Sequence, residues 1–432
     1  MTKYPFIYGR PVKGSEFIGR KGELSTIFSR LCNGESTAIV GEPHIGKTSL
    51  LLQINHPAVR EEFLGGDCDQ FTFSFIDLLP VDSSFDRSVF WKRALEPLVE
   101  QPKSMAISHK LKAAVETNYA DRALERLFGR LAEEDRRLVL LLDEFDRLLK
   151  HPNFRDASFF AHLRSLTTHV GGLSYITATR ASVAQLNESG RGLLNTGSPF
   201  FNHVIPVVLK PFDKTDIHAL LDRAKDHFST TDLAYIHHLA GRHPFLLQAM
   251  AATLLESDLP DRMVPAGEKF YERVSAHFDD LWYAMDDHTR TAAVILSIME
   301  LGGLALGKDF TSGEIARVPA FGPQLAKLAE RGLAERYHES RQLDWEHLLL
   351  WQGARWGIGP QVFTWWVRDT VIAGERKVPT YNDWLTRKGY KVILTEQQWD
   401  TLQRFGRALP GWVTHGAAGF IRGFVDRLWK KS

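Results

Sequence analysis

The sequence predicts an α/β protein with a parallel β-sheet, followed by a second half that is mainly helical. Three observations lead to this fold class. Apolar, β-branched runs alternate with helical patterns as far as about residue 210, and long crossovers of this kind favour parallel strands covered by helices on both faces. The first apolar run continues into a glycine-rich loop, and a later one ends in two carboxylates. Beyond Pro211 the apolar residues recur at helical spacing.

The first elements lead to the glycine-rich loop. Residues 21–33 place apolar side chains at helical spacing, and the run 37–40 follows as the first strand. A helix begins at about Ser49. The loop between them reads Gly41-Glu42-Pro43-His44-Ile45-Gly46-Lys47-Thr48. This order of strand, loop and helix is the P-loop pattern.

The residue types of this loop suit the binding of a nucleoside triphosphate. Gly41 and Gly46 allow backbone N–H groups to turn inward around phosphate oxygens, and the helix N-terminus favours the same anion. Lys47 would add a positive charge for the β- and γ-phosphates, and the Thr48 hydroxyl would bind Mg²⁺. We expect all residues of the loop, together with Ser49, to form the phosphate site.

An acidic motif ends a later strand. After a second strand at 71–79 and a helical section at 85–134, the apolar run 138–142 leads into Asp143 and Glu144. A buried parallel strand brings its carboxyl end to the ligand. Downstream of a P-loop this is the Walker B pattern, in which Asp143 would hold Mg²⁺ and Glu144 would orient or deprotonate the attacking water. The alternative is a strand that merely ends in solvated acids.

The next strand carries a polar tip. A helix over 154–169 precedes this strand at 173–180, and the strand ends at Arg180. A guanidinium stays charged and can form paired hydrogen bonds to phosphate oxygens, so Arg180 is a candidate for contact with the γ-phosphate. An ion pair with Asp143 or Asp146 is the alternative. A further strand at 204–209 completes the predicted sheet.

The second half contains helices and a predicted winged helix-turn-helix over 286–350. Helices are predicted at 215–226, 231–240 and 244–256. The winged-helix pattern comprises helices at 289–301, 311–318 and 323–330 and a wing at 333–337 and 341–345. Only Gln324, Lys327 and Glu330 would face outward from its third helix. These three side chains are few for contacts with bases or phosphates, so we favour a role of this domain in protein–protein binding.

The last part of the chain differs from the body. Residues 347–374 are rich in tryptophan, which predicts a core or docking surface rather than nucleic-acid stacking. Residues 375–432 contain 11 Lys/Arg and 5 Asp/Glu, a net charge of +6, whereas the preceding residues carry −5. An amphipathic helix over 418–431 would pack on its own small domain, with a partner or a membrane surface as the alternative.

Composition limits the classes of function. The formal net charge of +1 argues against a surface that is basic all over and binds nucleic acid. The two cysteines indicate a reducing compartment. The sequence shows no apolar signal-peptide core and no run of about 18 apolar residues. These features predict a soluble, cytoplasmic protein. Its 432 residues should hold about three domains, and the patterns along the chain divide it into four regions. These are a nucleotide-binding domain (1–210), a helical lid (211–276), a winged-helix domain with following helices (277–374) and a small basic C-terminal region (375–432).

Residues from about 15 to 370 resemble the STAND class of AAA+-like signalling ATPases, especially its prokaryotic branch. The resemblance rests on Phe17-Ile18-Gly19-Arg20, the P-loop, 138–146, Thr177-Ala178-Thr179-Arg180 and Gly241-Arg242-His243-Pro244. It implies an AAA+-like P-loop sheet with a helical lid, followed by a winged-helix domain and a small C-terminal helical region. It also implies that Ile18, Gly19 and Arg20 line an adenine pocket and that Pro244 closes over the nucleotide.

The resemblance implies an ATP-dependent switch that binds ATP or ADP with Mg²⁺, hydrolyses ATP slowly and forms a homo-oligomer in the ATP form. Prokaryotic defence or regulation would be its setting, with an unidentified protein as trigger or effector. The sequence departs from the class in lacking recognisable sensor repeats and a Met-His-Asp motif. Two alternatives stay open: a DNA-binding AAA+ ATPase resembling replication-origin initiators, and a nucleotide-stabilised scaffold. Nucleic-acid and membrane contacts are not favoured.

Overall fold

The computed structural model divides the chain into two compact units. It describes residues 5–100, 104–155, 157–181, 183, 185–187, 200–257, 262–290, 292–294, 296–297, 322–337 and 355–372. The sheet unit comprises Pro11–Glu42 and Gly46–Leu209. The helical unit comprises Met1–Arg10, Pro43–Ile45 and Lys210–Ser432. Among the described residues, no helix has both the length and the apolar character needed to cross a bilayer.

The sheet unit contains a five-stranded parallel sheet in the order β2-β3-β4-β1-β5. Its strands are β1 (Ser36–Val40), β2 (Phe71–Asp77), β3 (Arg137–Asp143), β4 (Leu173–Thr179) and β5 (Val204–Val208). The predicted parallel α/β sheet is therefore confirmed. Strand register pairs Val40 with Thr179 and Asp77 with Asp143, so the carboxyl ends of these strands lie along one edge of the sheet.

Helices cover the sheet and fill the core. They are α1 (Lys21–Cys32), α2 (Lys47–Ile54), α3 (Pro57–Leu64), α4 (Arg87–Glu100), α5 (Met105–Glu116), α6 (Asp121–Glu133), α7 (Asp146–Lys150) and α8 (Ala157–Ser165). In α6 the buried residues Leu124, Leu127, Phe128 and Leu131 recur at intervals of three or four, which places one apolar stripe against the core. The predicted helix at 154–169 is shorter than expected, because a π-turn, Leu166–Val170, follows α8.

Gly172 allows β4 to start close to α6. Its φ angle is +72°, and a Cβ atom there would lie 2.2 Å from the Phe128 carbonyl oxygen. A side chain at this position would therefore collide with the backbone of α6, quite apart from the cost of a positive φ angle. Glycine is the residue that this approach permits.

One of the two edge strands of the sheet is β5, which pairs with β1. Pro206 lies in the middle of β5 and has no N–H group. The Arg30 side chain of α1 donates to the carbonyl oxygen of Ile205 at 3.2 Å and to that of Pro206 at 3.5 Å. Part of the hydrogen-bonding capacity of this edge is thus missing or already used.

The described part of the helical unit contains helices and one small hairpin. They are α9 (Lys214–Leu221), α10 (Thr230–Ala240), α11 (Pro244–Leu255), α12 (Met263–Tyr283), α13 (Gly322–Glu330), β6 (Ala334–Tyr337), β7 (Arg355–Ile358) and α14 (Gln361–Trp366). The predicted boundary between residues 276 and 277 falls inside α12, a continuous helix of 21 residues. Trp365 and Trp366 of the tryptophan-rich segment are buried.

The winged-helix prediction is tested only in part. Helix α13 and strand β6 match the expected third helix and the first wing strand. In the part that the structure describes, β6 pairs antiparallel with β7. The segment 341–345, like 298–321 and 373–432, lies outside the described residues. The winged-helix domain and the small basic C-terminal region therefore remain predictions.

A buried ion pair joins the turn before α11 to the β6–β7 hairpin. Arg242 Nε lies 3.3 Å from Glu335 Oε1, and the Glu335 side chain is 1% exposed. Burial raises the pKa of Glu335, and the positive charge of Arg242 opposes that rise. The pairing compensates a carboxylate that would otherwise be buried without a partner.

Candidate functional site

The phosphate loop has a left-handed backbone conformation at one of its two glycines. Gly46 adopts a φ angle of +104° immediately before α2 begins at Lys47. The Lys47 side chain is 7% exposed, and its Nζ donates to the carbonyl oxygens of Gly41 and Glu42, each at 2.9 Å. These bonds fold the amine back over the loop, where phosphate oxygens could replace the carbonyls as acceptors.

The charge of Lys47 depends on its surroundings. The pKa of Lys47 is lowered to about 8, mainly by burial; Arg180 also lowers it, whereas Glu144, Glu42 and Asp143 raise it. These charges lie close enough to influence the amine through space. The structure thus brings Lys47, Asp143, Glu144 and Arg180 together, as the sequence predicted.

Asp143 and Thr48 form an oxygen pair that suits Mg²⁺. Asp143 is 5% exposed, and burial raises the pKa of its carboxyl group while a hydrogen bond from the Thr48 side chain opposes that rise. The Glu144 N–H donates to Asp143 Oδ1 at 3.1 Å. Mg²⁺ prefers oxygen ligands and commonly binds through one or two carboxylates together with substrate phosphates and water. A hydroxyl and a carboxylate already in contact fit that pattern.

Glu144 lies directly after β3 in an unusual backbone conformation. Its φ angle is +53°, a region that costs energy for a residue with a side chain. Such conformations cluster at functional sites. An open cleft of about 510 Å³ lies beside it, lined by Val81, Glu144, Asp146, Arg147, Lys150, His151, Pro152 and Arg180.

Arg180 lies at the exposed end of β4, on the wall of this cleft. Among the described residues it forms no ion pair with Asp143 or Asp146, which was the alternative interpretation. Asp146 instead accepts a hydrogen bond from the Thr179 hydroxyl at 3.2 Å. The guanidinium is therefore placed to meet an anionic ligand.

Two groups of predicted residues have other visible roles. Arg20, with a φ angle of +64°, forms an ion pair with Glu23 at 3.1 Å, and the Ser49 hydroxyl accepts the Val12 N–H at 3.1 Å. Ile18 and Gly19 are half-buried. Their predicted contacts with the base, and that of Ser49 with phosphate, remain predictions.

The tip of the phosphate loop, Pro43–Ile45, belongs to the helical unit. Within that unit, His44 has a φ angle of +59° and stacks on Phe245 with 4.9 Å between ring centroids. The His277 ring lies 5.3 Å from His44 and 5.1 Å from Phe245. Pro244 is buried at the start of α11. Pro43 and Ile45 are also buried.

Sequence reasoning missed Gln53, Phe245 and His277. Gln53 is a polar residue four positions after Ser49 in the otherwise apolar stretch 50–54, which was a usable signal. Phe245 and His277 carried none, because their contacts with His44 join segments that are far apart in sequence.

Comparisons with known proteins agree with this geometry. Residues 16–176 match the AAA ATPase domain family, and residues 103–300 match an AAA-like domain family. Residues 16–176, which include the P-loop and the acidic end of β3, are therefore similar to AAA ATPase domains. No functionally curated protein matches the sequence.

Two solved structures are similar to this chain. A Walker-type ATPase of Pyrococcus abyssi is 16% identical, with 83% of this chain and 99% of that one covered and a TM-score of 0.51. The ORC2 protein of Aeropyrum pernix, in ADPNP and ADP complexes, is 14% identical over 86% of this chain and 98% of its own, with a TM-score of 0.48. The similarity to the first structure shows the fold alone, and the TM-score of the second is too low to support an argument.

Proposed function

We propose that the protein binds ATP with Mg²⁺ at the phosphate loop and hydrolyses it slowly. The observation that carries this proposal is the convergence of Lys47, Asp143, Glu144 and Arg180 at one edge of the sheet. The AAA-type domain match supports it, because the matched residues include both the loop and the acidic strand end.

Each of these residues has a distinct task in the proposed reaction. Lys47 and the loop N–H groups bind the phosphates, and Thr48 and Asp143 hold Mg²⁺, which neutralises phosphate charge when bound. Glu144 orients or deprotonates the attacking water. Arg180 stabilises charge on the γ-phosphate.

The finer proposal is a nucleotide-controlled switch of the STAND type. Its support is the resemblance of five sequence motifs in the expected order. In this proposal Ile18, Gly19 and Arg20 line the adenine pocket, and Pro244 closes over the nucleotide. ATP permits assembly into a homo-oligomer, which a protein trigger or effector would read.

Two variants test the nucleotide site. Lys47→Ala should abolish ATP binding, because it removes the cation of the phosphate loop. Glu144→Gln should keep ATP bound and lower the hydrolysis rate by about 100-fold, since a positioned base contributes about that much or more. Binding is measured by calorimetry and hydrolysis by phosphate release. Lys92→Ala and Glu96→Gln, both at exposed positions of α4, serve as controls.

The outcomes separate the parts of the proposal. Hydrolysis by Glu144→Gln at the parent rate would show that another group activates water. The solution mass of the ADP form, compared with Glu144→Gln with ATP and Mg²⁺, tests the switch. A defined oligomer only with ATP supports it. An unchanged mass would favour the DNA-binding alternative, which a duplex titration at two salt concentrations would then examine.

A further inference from the structure

A segment before α1 is hydrogen-bonded to the helix that follows the phosphate loop. This strap, residues 11–20, contributes two backbone donors. The Val12 N–H donates to Ser49 Oγ at 3.1 Å, and the Gly14 N–H donates to Gln53 Oε1 at 2.6 Å. Ser49 and Gln53 are four residues apart and therefore lie on the same face of α2.

The strap is held along its length. Gly14 has a φ angle of +61°, and a Cβ atom there would lie 3.1 Å from His56 Nε2. A 3₁₀ turn covers Gly14–Glu16, and the Phe17 N–H donates to the Gly14 carbonyl oxygen at 3.1 Å. The bond to Gln53 is made by a side chain that is only 8% exposed. A buried amide oxygen with a short, direct partner fixes backbone position.

The strap and the proposed catalytic groups lie on different sides of α2. Leu50, Leu51 and Ile54 are fully buried, and α2 packs on β3 and β4 through that face. At 100° per residue, Ser49 and Gln53 point away from it. Asp143, Glu144 and Arg180 follow β3 and β4. The terminal phosphate of a bound nucleotide would face those strands.

The nucleoside must then leave the phosphate loop on the other side, where the strap lies. We propose that Ser49 and Gln53 are positioning residues for the nucleoside: they fix the strap, whose residues Ile18, Gly19 and Arg20 line the adenine pocket of the proposed function. This inference rests on the proposed nucleotide site. In this proposal Ser49 holds the strap by accepting the Val12 N–H, and it does not bind phosphate directly.

The test compares ligands with and without a nucleoside. The full-length protein is titrated by calorimetry with ATP, with ADP and with inorganic tripolyphosphate, each with Mg²⁺. Gln53→Leu removes the acceptor for Gly14, and Gly14→Ala disturbs the strap itself. Gln70→Leu, which changes an exposed glutamine whose side chain donates to Asp67, is the control. Thermal denaturation confirms that each variant is folded.

Both strap variants should weaken ATP and ADP binding about fivefold to tenfold, the effect of about one lost hydrogen bond. Tripolyphosphate binding should change less than about twofold. In turnover, the KM for ATP should rise while kcat stays constant. Equal weakening of all three ligands, or of none, would overturn the inference. A parent protein that binds neither ATP nor tripolyphosphate would instead refute the nucleotide site itself.

Discussion

At the scale of single residues, the buried amine of Lys47 combines two requirements that conflict. Burial favours its neutral form and holds its pKa at about 8, while phosphate binding requires the charged form. Neighbouring carboxylates keep the amine charged at neutral pH. The residue is therefore poised to respond to alkaline solution.

Nucleotide affinity should fall as the pH rises above about 8. Below that pH Lys47 is already charged, whereas above it the amine must take up a proton before it can pair with phosphate. Calorimetry at about pH 9, in buffers of different ionisation enthalpy, should show an uptake approaching one proton per ATP bound. An absence of proton uptake at that pH would contradict the low pKa of Lys47.

His277 should make the protein sensitive to acid. Burial, with a smaller effect of His44, lowers its pKa to about 3, and within the described residues neither ring nitrogen has a hydrogen-bond partner. Below about pH 6.5 the unfolded chain gains a proton that the folded one does not. The contribution of His277 to the free energy of unfolding is therefore fully present above pH 6.5. It is lost as the pH falls toward 3, by about 1.4 kcal/mol per pH unit.

Replacement of this histidine tests that expectation. His277→Phe should lose less stability than the parent between pH 7 and pH 5, as measured by chemical denaturation. His288→Phe, at an exposed position, should follow the parent. If His277→Phe loses as much stability as the parent between pH 7 and pH 5, the acid sensitivity comes from other groups.

Candidate site residues were recognisable where their spacing along the chain matches a known motif. Lys47 and Thr48 follow from the loop pattern, and Asp143 and Glu144 follow from the end of an apolar strand. Gln53 was not predictable, because its hydrogen-bond partner, Gly14, lies 39 positions earlier in the chain. Local sequence does not encode such contacts.

At the scale of elements, β4 depends on one glycine. Gly172→Ala should destabilise the protein by about 3 kcal/mol, since it adds a positive-φ penalty and a collision with the Phe128 carbonyl oxygen. Gly22→Ala in α1, where a Cβ atom meets nothing within 4 Å, should change stability by less than about 1 kcal/mol. Denaturant unfolding measures both, and a mild effect at Gly172 would show that α6 can shift.

The elements were predicted well where hydrophobic periodicity dominates. All five strands lie within a few residues of their expected positions, because buried parallel strands are continuous apolar runs. Helix α12 was missed as a unit, although buried residues such as Phe270, Val274 and Phe278 recur along one stripe. The pairing of β6 with β7 was missed because 17 residues separate the two strands in the chain.

At the scale of the whole molecule, the sequence predicts a parallel sheet but not its strand order. β1 lies between β4 and β5, and β2 lies at the far edge. Such an order depends on long crossovers, whose routes local patterns do not specify. The division of the loop between two compact units was equally invisible, since Pro43–Ile45 group with residues more than 160 positions away.

The outer edge of β5 has a consequence for how copies of this protein meet in a crowded solution. An open strand edge can add a strand from another molecule and so begin aggregation. Here Pro206 supplies no donor, and Arg30 already bonds to the carbonyls of Ile205 and Pro206. A strand of a neighbouring molecule therefore finds few free backbone groups to hydrogen-bond at this edge. The protein can reach high local concentration without edge-to-edge pairing of sheets there.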